Sequence, residues 1–325
     1  MNLSEPLAIY GLNGANVARL RGGFINAVYK IEPFSGESLV LKRYRASDPL
    51  AERLRHLCSV QTQLREAGLP IPRLVSTPSG EPFAVVAGQC FVLSQYVVGN
   101  RYFKSRMPSR AAIALGAAHA RLLDALGRLP AQSSVSLPNL ATIDARLRSL
   151  LGIGSPSRAR SARAEQACIS IEQRLRMLDA WRGAPPSIEP QWTHGDFTHR
   201  NVLFDAGDEV TAILDFDNLR ISDRARDVMR CFTLSFSHGS RGALEYFRGY
   251  VLASGIDVAA ARHYVRIYHY MSLLDIWPAD VLFENPGAYR NHWDQFLKPR
   301  PPSWEAGWDA LEDRLAEIAA QCRAN

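Results

Sequence analysis

The sequence predicts an α+β protein in two parts, a small antiparallel sheet with one helix over residues 1–96 and a mainly helical part over residues 97–325. Three observations carry this expectation. Before residue 97 the apolar residues fall in short strand-like runs bounded by turn residues. After it they recur at helical spacing over long segments. One stretch, residues 193–217, interrupts the helical part with a polar loop and short apolar runs.

The strand-like runs are Asn16 to Leu20, Ala27 to Ile31, Ser38 to Leu41, Phe83 to Val86 and Cys90 to Tyr96. Between the third and fourth lies a helix. Asp48 suits its N-cap and Pro49 its first position, and Leu50, Leu54, Leu57 and Leu64 make one apolar stripe that ends at Gly68-Leu69-Pro70. Past residue 97, Ser109 to Leu126 reads as a helix stopped by Gly127 and Pro130, and Arg224 to Leu234 reads as another. Gly152 to Arg163, rich in Ser, Gly and Arg, is expected to be a loop, and Ala184 to Pro190, with three prolines, a connector. No internal repeat is visible.

Composition narrows the function classes. A length of 325 residues suits about two domains. With 47% hydrophobic and 22% charged residues the chain is neither disordered nor membrane-spanning in character. No apolar run approaches the roughly 18 residues that a spanning helix needs, and the first residues lack a signal-peptide core, so a cytoplasmic location is expected. Five cysteines, odd in number and scattered without a Cys-x-x-Cys pair, argue against a disulfide framework and a zinc module. The net charge of +6 raises the question of nucleic acid. The densest basic cluster, Arg158, Arg160, Arg163, Arg174 and Arg176, lacks aromatic residues on which bases could stack, so it reads as a solvated face with no nucleic-acid partner.

Chemistry concentrates in Thr193-His194-Gly195-Asp196-Phe197-Thr198-His199-Arg200-Asn201 and the following Ile213-Leu214-Asp215-Phe216-Asp217. Asp196 and Asn201 lie five positions apart on one loop. In phosphoryl-transfer loops of this spacing the Asp accepts the substrate proton and the Asn holds Mg²⁺. Asp215 ends an apolar run and supplies a second metal-binding group. Asp217 stands where protein kinases carry a Gly, either as a further metal-site acid or as a turn former.

The small part carries matching features. Gly22-Gly23 joins two strand-like runs, and adjacent glycines let a hairpin backbone approach an anion, although a plain turn also uses them. Lys42 ends an apolar run and alternates onto the face of Val40, as a phosphate-binding lysine or as an edge-strand lysine that blunts pairing. Kinases place a Glu on the next helix to pair with that lysine. Here Glu52 and Glu66 project away from the apolar stripe and Gln61 falls within it, which leaves Gln61 or a more remote acid to orient Lys42.

These residues resemble the aminoglycoside phosphotransferase and choline kinase superfamily, including its homoserine-kinase-like branch, over nearly the whole chain. The resemblance rests on Gly22-Gly23-x-x-Asn26-x-Val28-Tyr29, Leu41-Lys42, Gly68-Leu69-Pro70-Ile71-Pro72 and Leu115-Gly116-x-x-x-Ala120-x-Leu122. It is most specific in His194-Gly195-Asp196 with Asn201-Val202-Leu203, in Ile213 to Asp217, and in Asp223 with Asp227-Val228. It implies a bilobal protein-kinase-like fold, with a nucleotide-binding lobe over 1–96 and a helical lobe that carries the catalytic loop and the acceptor over 97–325. It further implies ATP and Mg²⁺ as cofactors, Asp196 as catalytic base, Asn201 and Asp215 as metal ligands, and Gly22, Gly23, Asn26 and Lys42 at the nucleotide. His194 is then a loop brace and Asp227 a structural brace. The chain departs from the pattern in lacking the helix Glu and in carrying His119 at a position that is commonly apolar, where packing is the expected reason.

The implied activity is transfer of a γ-phosphoryl group to a hydroxyl of a small-molecule acceptor, an amino alcohol, amino acid, aminoglycoside or other antibiotic-like molecule. A protein Ser/Thr kinase of the same fold, or a nucleotide-binding pseudokinase, are the alternatives. A metal hydrolase that uses His194, Asp196 and His199 as ligands would need a further ligand cluster. The acceptor is expected at Tyr264 to Asp280, with Tyr268, Met271, Asp275, Trp277 and Asp280 as candidates, although Tyr264, Tyr268, Met271 and Asp275 also fit a core-facing helical stripe.

Overall fold

Alternation along residues 39–44 puts Leu39 and Leu41 into a core and Lys42 on the opposite face, and the first sheet is built around that strand. The computed structural model describes residues 3–20, 26–44, 50–104, 106–130, 140–153, 162–179, 181, 186–237, 239–274, 276 and 303–324. Gly22, Gly23, Asp48, Pro49, Asp275, Trp277 and Asp280 lie outside the described residues. The chain divides into two compact units, one of Met1–Leu129, His194–Arg220 and Thr233–Ser254, the other of Pro130–Thr193, Ile221–Phe232 and Gly255–Asn325. The division follows contacts, not chain order, so the sheet and the 194–220 segment share the first unit.

In the first unit, helix α1 (Ser4–Ile9) precedes strands β1 (Asn16–Arg19), β2 (Ala27–Glu32) and β3 (Leu39–Tyr44). Helix α2 (Leu50–Glu66) follows, then β4 (Leu74–Val75), β5 (Ala84–Val86) and β6 (Gln89–Gln95). The strands form an antiparallel sheet in the order β1-β2-β3-β6-β4, with β5 also on β6. Lys42 pairs with Val28 on one side and Val92 on the other, which makes β3 a central strand and removes the edge-strand reading of the lysine. Leu7, Ile31, Leu39, Leu41, Phe91 and Leu93 close the core on the other face. Each such side chain contributes about 1.5–3 kcal/mol on burial.

Helix α1 and strand β4 are absent from the sequence expectations because six and two residues are too short to show a period. Tyr10, just past α1, ties that helix to the sheet. Its hydroxyl donates to the Phe91 carbonyl at 2.7 Å and accepts the Ala84 N–H at 3.1 Å. Burial pushes its pKa up to about 12, against the opposing effect of the Ala84 hydrogen bond. The stability it confers is therefore full below about pH 10, the ordinary tyrosine value, and is lost as pH rises towards 12. Tyr10→Phe should cost about 1–2 kcal/mol at pH 7, read by urea denaturation, because it strands two buried backbone groups. The gap between variant and wild type should narrow above pH 10, and a gap that widened there would refute this account.

Two further helices of the first unit, α3 (Ser109–Gly127) and α7 (Arg241–Ser254), pack on each other. Between them in sequence, β8 (Val202–Phe204) and β9 (Val210–Ile213) form a hairpin. That hairpin is tied to the sheet region by the Asn100–Phe204 bridge and by the Ile213 N–H on the Pro70 carbonyl at 2.8 Å. Backbone polar groups of the 200s are thus satisfied by residues 70–100, which holds the loop in place.

The second unit contains α4 (Leu140–Ile153), α5 (Ala162–Asp179), β7 (Pro190–Thr193) paired with β10 (Arg220–Asp223), most of α6 (Arg224–Ser235), α8 (Val258–Leu274) and α9 (Ser303–Ala324). Pro190 thus starts a strand instead of ending the connector. Asp223 precedes α6 and its carboxylate accepts the Ala225 and Glu189 N–H groups at 2.8 and 2.9 Å, an N-cap. Helix α8 ends at Leu274, and its Tyr264 and Met271 are buried, in keeping with a core stripe. The architecture is a small antiparallel sheet followed by a mainly helical chain, as the sequence predicts.

Candidate functional site

Asp196, Asn201, Asp215, Lys42 and Asn26 all belong to the first unit. The loop that carries Asp196 begins with His194, which is fully buried. Its Nε2 lies 3.0 Å from the Leu214 carbonyl and its Nδ1 accepts the Asp196 N–H at 3.3 Å. These two bonds require the Nε2–H tautomer and occupy both ring nitrogens, so His194 holds the loop and has no lone pair left for a metal. Gly195 has φ +75°, and a Cβ there would stand 2.2 Å from the Asn218 carbonyl oxygen. Only glycine lets the loop run this close to the 216–218 turn.

Asp196 and Asn201 meet across the loop. Asn201 Nδ2 donates to the Asp196 carbonyl at 2.9 Å and to Oδ2 at 3.1 Å. The amide therefore turns its nitrogen to Asp196 and keeps its oxygen for another partner. A 3₁₀ turn at His199–Asn201 closes the segment, with the Asn201 N–H on the Thr198 carbonyl. Beneath it Phe197 is fully buried and stacks on His119 with ring centroids 4.0 Å apart. His119 Nδ1 lies 2.7 Å from the Tyr246 hydroxyl, so the departure at this position is a packing element under the loop.

His199 is nearly buried, its N–H donates to Ser235 Oγ at 2.9 Å, and its Nδ1 has no hydrogen-bond partner. Burial, then the nearby Arg200 and Lys104 charges, push its pKa down to about 4. It is a neutral core histidine. Among the described residues no group of three or more His, Cys, Asp and Glu side chains could hold a metal ion.

Asp215 follows β9 in the left-handed region, at φ 64° and ψ 69°, a conformation that costs a non-glycine residue energy and often marks a functional site. Lys42 Nζ lies 2.8 Å from Asp215 Oδ1 and 2.7 Å from Asp217 Oδ2. Burial opposes charge on both partners, but the ammonium holds the Asp215 carboxyl below the usual carboxylate range and the two carboxylates raise the Lys42 pKa. Lys42 and Asp215 are therefore both charged at neutral pH.

Asp217 is bonded from several sides. Asn26 Nδ2 donates to its Oδ2 at 2.8 Å, Tyr44 Oη donates to its Oδ1 at 2.7 Å, and Arg53 donates to its main-chain oxygen. Burial, then the Asp217 charge, raises the Tyr44 pKa well above the ordinary value, which keeps the phenol a donor. Gln61 donates to Leu57 within its own helix and Glu52 and Glu66 are exposed, so α2 does not orient Lys42. Of the two expected candidates the remote acid is the one present. Tyr44 and Arg53 were missed in the sequence, although alternation from Lys42 puts Tyr44 on the same face.

The donor set fits a hard divalent cation. Mg²⁺ keeps several waters and needs only one or two protein carboxylates, and the Asp215 carboxylate with the Asn201 amide oxygen is such a set. Lys42 suits a phosphate as a point charge with a free donor. Gly22 and Gly23, expected at the nucleotide, lie outside the described residues, and Asn26 faces Asp217.

Comparison with known proteins gives the fold and the family. Solved structures with the same fold include a spectinomycin phosphotransferase, APH(9)-Ia, in complex with ADP and spectinomycin (16% identity, TM-score 0.66, covering 99% of this chain and 97% of that one). The amicoumacin kinase hAmiN, in complex with AMP-PNP, Ca²⁺ and Ami, is similar (15%, 0.61, 97% and 92%), as is a microcompartment-associated aminopropanol kinase (15%, 0.58, 97% and 97%). No curated protein matches the chain by sequence. The sequence profile of APH, the phosphotransferase enzyme family, matches residues 16–266, from β1 into α8 and across every site residue described above. With that span of the chain matched, the protein belongs to the APH phosphotransferase enzyme family and is a kinase-type phosphotransferase.

Proposed function

We propose that the protein transfers the γ-phosphoryl group of ATP to a hydroxyl of a small molecule that bears an amine, with Asp196 as base, Asn201 and Asp215 as Mg²⁺ ligands, and Asn26, Lys42 and the Gly22-Gly23 hairpin on the nucleotide side. The observation that carries the reading is the convergence of Asp196, Asn201, Asp215 and Lys42 on one compact unit, with Asn201 bonded to Asp196 at 3.1 Å and Lys42 to Asp215 at 2.8 Å. In this assignment residues 1–96 bind nucleotide, and residues 97–325 supply the catalytic loop and the acceptor pocket.

When bound, Mg²⁺ offsets charge on the phosphates. Lys42 does the same as a fixed cation, raised in pKa and held by two carboxylates. Asp196 orients the acceptor hydroxyl and takes its proton late. The new bond joins the acceptor oxygen to phosphorus as the bridging P–O bond to the β-phosphate breaks and ADP leaves. The His194 bonds to Leu214 and Asp196 fix where that carboxylate stands. Positioning and electrostatics supply most of the rate in such transfers. The amine in the acceptor class is supported by the aminopropanol kinase and the spectinomycin phosphotransferase among proteins of this fold. Nothing in the sequence calls for nucleic acid, and among the described residues no helix is long and apolar enough to cross a membrane.

The test is ADP release from Mg·ATP across hydroxylated amines, amino acids, aminoglycosides and other antibiotics, with neutral sugars and nucleosides as controls. At least one amino-bearing acceptor should give turnover well above the Asp196→Ala background. Tight nucleotide binding without release for any acceptor would turn the reading into that of a pseudokinase. Phosphorylation of a protein serine alone would move the acceptor class.

A further inference from the structure

Among the described residues no helix carboxylate holds the strand lysine, and we propose that Asp217 takes that place and positions Lys42 for the nucleotide phosphates. The inference rests on the nucleotide site proposed above and assigns a job to a residue that the phosphoryl-transfer reading left open. Asp217 lies in the 3₁₀ turn Phe216–Asn218 and is fastened from three elements. Its carboxylate takes Asn26 at the start of β2 and Tyr44 and Lys42 on β3, and its main-chain oxygen takes Arg53 on α2. Both carboxylate oxygens are engaged, so Asp217 is built into the protein instead of waiting for a metal.

Asp215 is a looser partner. Its side chain is 43% exposed against 27% for Asp217, and its backbone sits in the left-handed region. An ammonium has three N–H donors. Two reach Asp215 and Asp217, and the third remains for a phosphate oxygen. When Asp215 turns to a cation, Asp217 still holds the lysine in register. Without Asp217 the only carboxylate this close to Lys42 among the described residues is Asp215, and the lysine would occupy the very group that the metal needs. A helix Glu in other kinases solves the same problem from α2. Here the acid comes from the turn two residues past the metal ligand.

The experiment combines Asp217→Asn, Lys42→Met and the double variant. The first readout needs no nucleotide. The chain has four lysines, so ε-¹³C-lysine NMR resolves Lys42 by its loss in Lys42→Met, and its signal should shift in Asp217→Asn, which removes a charged partner at 2.7 Å. The second is Mg·ADP affinity by calorimetry. Asp217→Asn should weaken binding about tenfold, and the double variant should bind no more weakly than Lys42→Met alone, because residues that act through one another are not additive. Tyr44→Phe loosens the Asp217 carboxylate without removing its charge. It should weaken Mg·ADP severalfold in the wild-type background and not at all beside Lys42→Met, and this arm decides the matter if Asp217→Asn does not fold. An unchanged Lys42 signal, or independent and multiplicative losses in the double variant, overturns the role of Asp217 while the nucleotide site stands. A wild-type protein that binds no Mg·ADP removes the site and this inference together.

Discussion

Asp196→Ala should lower kcat with the best acceptor by about 10³-fold, within the 10²–10⁴ range that a general base supplies, and leave Mg·ADP affinity within about threefold of wild type. The split follows from where the residue stands. Its carboxylate bonds Asn201 within the loop, whereas Lys42, proposed at the nucleotide, bonds Asp215 and Asp217. Asp196→Asn is the sharper variant, since it keeps the shape and the contact to Asn201 but cannot take a proton. It should be nearly as slow as the alanine variant. If it retained more than about a tenth of wild-type kcat, positioning alone would explain the residue and the base would have to be sought elsewhere. Steady-state kinetics with calorimetry for ADP reads both quantities.

Gly116→Ala should destabilise the protein by at least about 3 kcal/mol, although alanine is favoured over glycine in a helix by about 1 kcal/mol. Two effects of opposite sign compete, and distance decides between them. A Cβ at Gly116 would stand 1.9 Å from the Tyr246 carbonyl oxygen and 2.6 Å from the Tyr250 nitrogen, and one at Gly249 would stand 2.1 Å from the Ile113 carbonyl oxygen. These neighbours are helix backbone and cannot rotate away, so α3 and α7 would have to separate. Gly152, also in a helix but with nothing within 4 Å of a Cβ, is the control, and its alanine variant should gain about 0.5–1 kcal/mol. Urea denaturation of the three proteins decides it. A gain in both variants would show that the helices have room to move apart. Because His119 on α3 and Tyr246 on α7 support Phe197, the Gly116 variant should also lose activity beyond what its folded fraction explains.

Strands β1, β2, β3, β5 and β6 and helices α2, α3 and α6 lie within a few residues of the runs legible in the sequence. A half-buried strand and an amphipathic helix write their periods into consecutive residues, and Leu41 beside Lys42 is enough to say which side of β3 faces inward. The same holds for the 193–217 segment. The separation of five between Asp196 and Asn201 survives as a real contact because it lies on one loop. Helix α1 escaped because one and a half turns leave no repeat, and the pairing of Lys42 escaped because nothing local reports it.

The identity of the reaction class and the faces of the main strands and helices were determined by the sequence alone, since both depend on residues near one another along the chain. Tertiary structure decided what holds Lys42, why residue 116 is glycine and why residue 119 is histidine. Asn26 meets Asp217 across 191 residues, Tyr44 meets it across 173, and His119 meets Tyr246 across 127. Contacts at such separations have no period and no fixed spacing, so they exist only once the chain has closed on itself.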